Sequence, residues 1–200
     1  MRAERAAGQA ADWDDPGGVP EYRIETWSAE TFAARVDETM NIYVRAMQYP
    51  SHAGTQRGIS ARKHVKYEGF SCRAAVLTGA DTVVGFGYGY TTTAGQWWHD
   101  LVRHAIGAEQ ATEWMRDGFE LSELHVLPAF QGYGLGRQLL IELANSLPNA
   151  AMLLSTPDQD TRAFRMYTRL GFRALRRQYL FPGDARPFAI FGARLPLAVQ

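Results

Sequence analysis

The chain is poor in cysteine: Cys72 is the single one among its 200 residues. An intramolecular disulfide is therefore excluded, and so is a metal centre built from several cysteines. A low cysteine content is typical of proteins from reducing compartments. We expect Cys72 to be a buried packing residue, because free cysteines usually are and no histidine stands beside it in the sequence.

An excess of charge of one sign is also missing. The 21 Lys and Arg residues balance the 21 Asp and Glu residues, which gives a formal net charge of zero. This balance provides no general attraction to nucleic acid or to a membrane surface, so any anion site must be built locally. No run approaches the roughly 18 apolar residues of a membrane span, and the N-terminal stretch lacks the apolar core of a signal peptide. We therefore expect a cytoplasmic protein that binds neither nucleic acid nor membrane.

What the chain does contain is a succession of strand-like and helix-like segments. Residues 1–20 show no apolar periodicity and are predicted to form a flexible arm. Helices are predicted over 29–47 and 58–69 with a loop between them, and a helical insert over about 95–118. The predicted order is β-α-α-β-β-insert-β-α-β-α-β-β, which indicates one mixed α/β domain over 21–200. Gly85, Gly87 and Gly89 lie on one face of a predicted strand, which therefore carries almost no side chains. Such a face indicates either a ligand that approaches the backbone closely or a helix that covers it.

The stretch QGYGLG, from Gln131 to Gly136, carries glycine at three alternate positions between a predicted strand and a predicted helix. A helix N-terminus presents unpaired N–H groups and partial positive charge, and glycines let an anion approach them. The arrangement favours a phosphate site. It is neither a Rossmann nor a Walker A loop, because both motifs would need glycine where Arg137 stands.

The same region resembles a known family. VLPAFQGYGLGRQLL resembles the acyl-CoA-binding motif Q/R-x-x-G-x-G/A of the GNAT N-acetyltransferase superfamily, and its approach strand is matched as well. TRAFRMYTRLGF resembles the second family motif, matched by Ala163, Tyr167, Gly171 and Phe172. The resemblance covers roughly residues 21–195 and leaves out the arm and the insert. It implies a GNAT-like, mostly antiparallel sheet of about six to seven strands, with about four helices besides the insert.

The resemblance also implies acetyl-CoA, or another acyl-CoA, as cosubstrate. Amides of the glycine loop and the first helical turn would hold the pyrophosphate, and the preceding strand would pair with the pantetheine arm. The implied cofactor-binding residues are Leu124, His125, Val126, Gln131, Gly132, Tyr133, Gly134, Leu135, Gly136, Arg137 and Gln138. The Val126 N–H would help to polarise the thioester carbonyl. Where the family often has Asn, the chain has Asp160, which we expect to cap its helix rather than contact the anionic cofactor.

Acyl transfer to an amine needs a base for the amine and a proton for the leaving thiolate. By its place in the second motif, Tyr167 is the expected acid, with simple core packing as the alternative. Glu120 is the expected base: family members carry a glutamate at this strand position, and strict alternation puts it on the Val126 side. Glu123, His125 or a water remain alternatives, because a bulge would invert this alternation.

The acceptor side of the molecule is less well defined. The insert carries three tryptophans and several acidic residues, which suits a lid for a cationic amine or a packing helix with a solvated face. Likewise, Arg162, Arg165 and Arg169 share a helix face that we expect to be solvated, with contact to the 3′-phosphate of the cofactor as the alternative. The sequence thus predicts direct acetyl transfer to a primary amine of a small molecule or peptide, with no metal. A homodimer is compatible with the family, and a non-catalytic acyl-CoA sensor is the alternative function.

Overall fold

The computed structural model describes residues 21–198, so the predicted arm over 1–20 lies outside the described residues. A seven-stranded sheet with the order β1-β2-β3-β4-β5-β7-β6 forms its centre. Its strands are β1 (Tyr22–Trp27), β2 (Ser71–Leu77), β3 (Val83–Thr91), β4 (Gly118–Val126), β5 (Ala151–Pro157), β6 (Arg173–Leu180) and β7 (Pro187–Arg194). Only the β4–β5 pair is parallel. The predicted mixed, mostly antiparallel sheet is confirmed.

Seven α-helices and one short 3-10 helix (Pro128–Phe130) accompany the sheet. The α-helices are α1 (Ala29–Ala34), α2 (Val36–Met47), α3 (Ser51–His64), α4 (Trp97–Ile106), α5 (Ala108–Met115), α6 (Leu135–Ala144) and α7 (Arg162–Arg169). The predicted insert is α4 and α5, which are separated at Gly107, where φ is 82°. The helix predicted over 29–47 is divided at Arg35, whose backbone leaves helical geometry and whose side chain binds Glu38 and Asp81.

The loop predicted before residue 58 is wrong, because α3 already begins at Ser51. Its glycines suggested a break in the chain, but they face α2 in a tight helix–helix contact. A Cβ on Gly54 would lie only 2.9 Å from Val44 Cγ2. Tertiary packing has therefore overridden the low helix propensity of glycine here.

The helices divide the sheet into two covered faces. Helices α1–α3 and the insert cover one face, which we call the front. Phe32 packs there on Phe86 and Tyr88, while the insert places Trp98 and Trp114 against Leu153 and Ile190. Helices α6 and α7 cover the back, where leucines of α6 and Tyr167 pack against Met152, Leu154 and Phe191.

The glycines of β3 are covered on the back face rather than open to a ligand. A Cβ on Gly85 would lie 3.2 Å from Leu139 Cδ1 of α6, and one on Gly87 would lie 2.9 Å from Leu124 Cδ1. Gly89 differs from these two, because its Cβ position lies 1.9 Å from the carbonyl oxygen of Glu120. Only a residue without a side chain allows the neighbouring strand to come this close.

Candidate active site

A β-bulge opposite Gly89 sets the direction of the candidate catalytic side chains. Tyr88 pairs with Glu123 and Gly89 pairs with Leu121, so β4 contains one extra residue, Ser122. Because of the bulge, Glu120, Glu123 and His125 all lie on the front, opposite Tyr90, Tyr88 and Phe86. The prediction that strict alternation puts Glu120 on the Val126 side is wrong, since the extra residue inverts the alternation.

Glu120 is a buried carboxyl with a raised pKa. Its side chain is 4% exposed, and the Tyr90 hydroxyl donates a hydrogen bond to Oε1 at 2.9 Å. Burial raises the pKa to about 8, although the Tyr90 hydrogen bond and the Arg57 charge act in the opposite direction. A carboxyl that titrates near neutral pH suits a general base, because it can accept a proton and release it again.

Glu123 is equally buried but strongly ionised. Arg57 of α3 forms an ion pair with it, and its other carboxylate oxygen lies 2.5 Å from His125 Nε2. Burial disfavours the ionised form, but the Arg57 charge and the His125 contact outweigh it and lower the pKa of Glu123 to about 2. Glu123 is therefore a fixed negative charge, which also contributes to the raised pKa of Glu120. Sequence reasoning missed Arg57, because it lay within the predicted loop.

A gap opens between the two central parallel strands next to these carboxylates. β4 and β5 pair only from Gly118 to Glu120 and from Ala151 to Leu153. Beyond that point, β4 continues along β3 as far as Val126, and β5 continues along β7 as far as Pro157. The facing edges no longer pair with each other, and an extended ligand can add to such an edge like a further strand.

The glycine loop lies at the start of α6, just beyond the end of β4. Gly132 and Gly134 have φ values of 90° and 85°, and no backbone N–H of residues 132–136 donates to a backbone oxygen of another described residue. A Cβ on Gly134 would meet no atom within 4 Å, so open space lies above the loop. The Gln131 side-chain amide ties the loop to the Val126 carbonyl at 2.9 Å. Glycine-rich turns with unused backbone amides at a helix N-terminus are a common form of anion site.

Basic side chains surround this cradle. A cavity of about 810 Å³ adjoins the loop and is lined by Gly132, Arg137, Arg162, Arg165, Met166, Arg169, Leu170 and Ala198. The Arg162 guanidinium reaches within 3.8 Å of the Cβ position of Gly132. The arginine face of α7, expected to be solvated, therefore borders the cradle and adds positive charge where phosphates would lie.

The residue that caps α7 differs from the expected one. Thr161 is the N-cap, and its hydroxyl accepts a hydrogen bond from the Phe164 N–H at 3.1 Å. Asp160 instead forms an ion pair with Arg165 at 2.9 Å. The expectation that Asp160 caps the helix is wrong, because the adjacent threonine takes that position.

Tyr167 lies on the back face, 6% exposed, with its ring against Phe172 and Phe191. Within residues 21–198, no group hydrogen-bonds to its hydroxyl. Burial raises the pKa of Tyr167 well above its ordinary value, and the Glu123 charge raises it further. The phenol therefore stays protonated at physiological pH.

Comparison with known proteins decides the family. Residues 101–181 match the FR47-like protein family. Over 193 residues the chain is 36% identical to a GCN5-like protein acetyltransferase of Mycobacterium tuberculosis, which covers 82% of this chain and 93% of the relative. The chain belongs to the GNAT acetyltransferase family. This confirms the resemblance and the acetyl-CoA donor that it implies, since GNAT acetyltransferases use acetyl-CoA.

Solved structures agree with the GNAT fold. A Salmonella typhimurium protein solved with its cofactor acetyl-CoA gives a TM-score of 0.60 at 17% identity, covering 90% of this chain and 97% of that one. The ribosomal-protein-S18-alanine N-acetyltransferase of Escherichia coli gives 0.58 at 19% identity, with the same coverage. At these identities the likeness supports the fold alone.

The remaining expectations concern other parts of this GNAT domain. Cys72 is fully buried in the front core, and burial raises the pKa of its thiol far above the ordinary value, as suits a packing residue. In the insert, the Trp98 indole N–H donates to Ser155 Oγ at 3.1 Å beside the gap, while Trp97 is 61% exposed. Among the described residues, no helix is long and apolar enough to cross a bilayer and no cluster of potential metal ligands occurs.

Proposed function

We propose that this GNAT protein is a cytoplasmic N-acetyltransferase that moves the acetyl group of acetyl-CoA directly to a primary amine. The observation that carries the proposal is the pair of groups at the strand gap. Glu120 on the front titrates near pH 8, and Tyr167 on the back remains protonated. Glu120 would act as the proton acceptor on the front, and Tyr167 would act as the proton donor on the back, with the extended thioester between them.

The donor would bind from the back. Its pyrophosphate would accept hydrogen bonds from the amides of Gly132 to Gly136 and interact with Arg137 and Arg162. Its pantetheine arm would follow the edge of β4 from Leu124 to Val126 into the gap. The bare cradle and the bordering arginines fit these phosphates, because both supply donors and positive charge to an anion.

In the reaction, the ammonium group of the acceptor would first lose one proton through Glu120 to solvent. The neutral amine nitrogen would then attack the thioester carbonyl carbon from the front, and the proton that it loses on forming the amide would pass to Glu120. The C–S bond would then break, and the leaving thiolate would take the phenolic proton of Tyr167. The Val126 N–H is the proposed donor to the developing oxyanion. Solvent would take the proton from Glu120 and return one to Tyr167, so that both residues are restored.

The acceptor would arrive as a cationic amine on the front. Tyr43 lies on this side, with its ring 5.1 Å from that of His125, and an aromatic ring there would contact a cationic or apolar part of the acceptor. Among small molecules and peptides, we favour a peptide or protein amine, because the Mycobacterium tuberculosis relative is a protein acetyltransferase. A homodimer stays a prediction.

Amine-dependent release of CoA thiol tests the proposal. The protein would be mixed with acetyl-CoA and a panel of polyamines, amino acids, aminoglycosides and lysine or N-terminal peptides. We expect thiol release above the hydrolysis rate without amine for at least one class, and a product heavier by one acetyl group. Acetyl-CoA binding without release for any amine would instead support the alternative, a non-catalytic acyl-CoA sensor.

A further inference from the structure

Two buried side-chain oxygens in the described part of the chain have no hydrogen-bond partner. They are Oε2 of Glu120 and Oγ1 of Thr92, both in residues that are 4% exposed. Thr92 follows β3 directly and has no role in the proposed reaction. Since buried polar groups nearly always have a partner, a pair of unpartnered oxygens calls for an explanation.

The two residues are neighbours on the front face. The Thr92 N–H donates to the Gly118 carbonyl at 2.9 Å, and Gly118 stands two residues before Glu120 in the same strand, so positions 118 and 120 share a face. A Cβ on Gly118 would lie 2.9 Å from Thr92 Cγ2. Because position 118 is a glycine, it places no side chain of its own beside the threonine and the glutamate.

The other atoms next to the Cβ position of Gly118 belong to an apolar side chain and to the backbone. The Cβ position of Gly118 is 2.9 Å from Leu153 Cδ1 and 3.0 Å from the Trp114 carbonyl oxygen. Thr92 lies opposite Gly118 and is therefore a diagonal neighbour of Glu120 across the β3–β4 pair. Such positions lie roughly 7–8 Å apart, a separation that one molecule hydrogen-bonded to both side chains can bridge. The ligand must be small and must both donate and accept hydrogen bonds, which describes water.

We propose that Thr92 and Glu120 together hold a buried water that carries the proton of Glu120 to solvent. The proposal rests on the base role proposed above for Glu120. Gly118 and Thr92 lie on one side of Glu120 along the strand, and Glu123 and His125 lie on the other, toward the acceptor. The protonated carboxyl would give its proton to the water, and the water would release one of its own to solvent, which restores the carboxylate.

The charged and titratable groups around Glu120 come from three elements. β3 presents Tyr90 and Tyr88, β4 presents Glu123, and α3 presents Arg57 and His64. Thr92 is not one of these titratable groups, because its hydroxyl does not ionise. A substitution at position 92 would therefore change the pH dependence of kcat only through its effect on Glu120. Thr92 would therefore be a positioning residue rather than a catalytic one.

Thr92→Val tests the proposal, because valine keeps the shape and removes the hydroxyl. Without the hydroxyl that anchors it, the water would no longer hydrogen-bond to the ionised carboxylate, which should raise the kinetic pKa of the base by about one unit. Below that pKa, kcat should fall about tenfold, while KM for acetyl-CoA stays unchanged. Thr92→Ser should keep the wild-type profile. A Val variant with an unchanged pH profile and higher stability would overturn the proposal, because removing a truly unpartnered hydroxyl should stabilise the fold.

A double-mutant cycle separates this proposal from the base assignment. The stabilities of wild type, Thr92→Val, Glu120→Gln and the double variant would be compared by denaturant unfolding. A shared water predicts coupling between the two sites, and strictly additive effects would overturn it. The unfolding measurement does not depend on acetyltransferase activity. If Glu120→Gln is fully active but coupled to Thr92→Val, the base role fails and the water site stands.

Discussion

Glu120→Gln is expected to lower kcat by about a hundredfold or more, because general acid–base catalysis contributes about 10²–10⁴-fold. Glutamine fills nearly the same volume and can still accept the Tyr90 hydrogen bond, but it cannot take a proton. In the wild type, the pKa of Glu120 lies at about 8, so kcat should rise with pH up to about 8 and then level off. The variant should lose this rise.

The same substitution has a predictable effect on stability. The folded-state pKa of Glu120 lies above the ordinary value of 4.5, so its stabilising contribution is complete below about pH 4.5 and is lost as pH rises toward 8. Glutamine does not ionise, so the variant should lose less stability over this range. Thermal melts at pH 5 and pH 8 would show this. Glu109→Gln, an exposed change in the insert, is the matched control and should alter neither kcat nor the melts. The base assignment would be ruled out if Glu120→Gln kept the wild-type turnover and the same rise of kcat with pH.

Tyr167→Phe is expected to lower kcat at least tenfold, because a positioned proton donor contributes about 10²–10⁴-fold and water can replace part of that contribution. Phenylalanine keeps the ring contacts with Phe172 and Phe191, and the hydroxyl has no hydrogen-bond partner among the described residues, so the fold should be unaffected. The loss should shrink with an acyl donor whose leaving thiol is more acidic, because such a thiolate needs less help from a proton.

The leaving-group dependence separates catalysis from packing. A merely structural defect at Tyr167 would slow all acyl donors alike and lower the melting temperature. Tyr179→Phe, in β6 at the far edge of the sheet, is the matched control and should retain wild-type rates. Unchanged turnover in Tyr167→Phe would remove the acid assignment.

Most of the fold followed from local patterns in the sequence. Side chains that alternate between the two faces of a strand predicted β1 and β4, and leucines spaced four residues apart predicted α6. The glycine loop was predicted as an anion cradle from helix-terminus physics. Its amides donate to no backbone oxygen of a described residue, and the cradle itself stays a prediction. These features depend on neighbours in the sequence, which is why the sequence reveals them.

The parts that the sequence did not reveal depend on distant neighbours. The bulge at Ser122 needs the bare backbone of Gly89 on another strand, so alternation along β4 alone pointed Glu120 the wrong way. Arg57 reaches Glu123 only because α3 begins earlier than its glycines suggested. The missing hydrogen-bond partner of the Thr92 hydroxyl can be recognised only when the burial and the hydrogen bonds of the folded chain are known.

The central claim is that acetyl-CoA enters the gap between β4 and β5 with its pyrophosphate on the glycine loop. Hydrogen–deuterium exchange with and without acetyl-CoA tests it most directly. We predict slower exchange in the amides of residues 121–127 and 132–137 at saturating acetyl-CoA. Saturating binding that leaves both stretches unchanged, or that protects only other segments, would contradict the account.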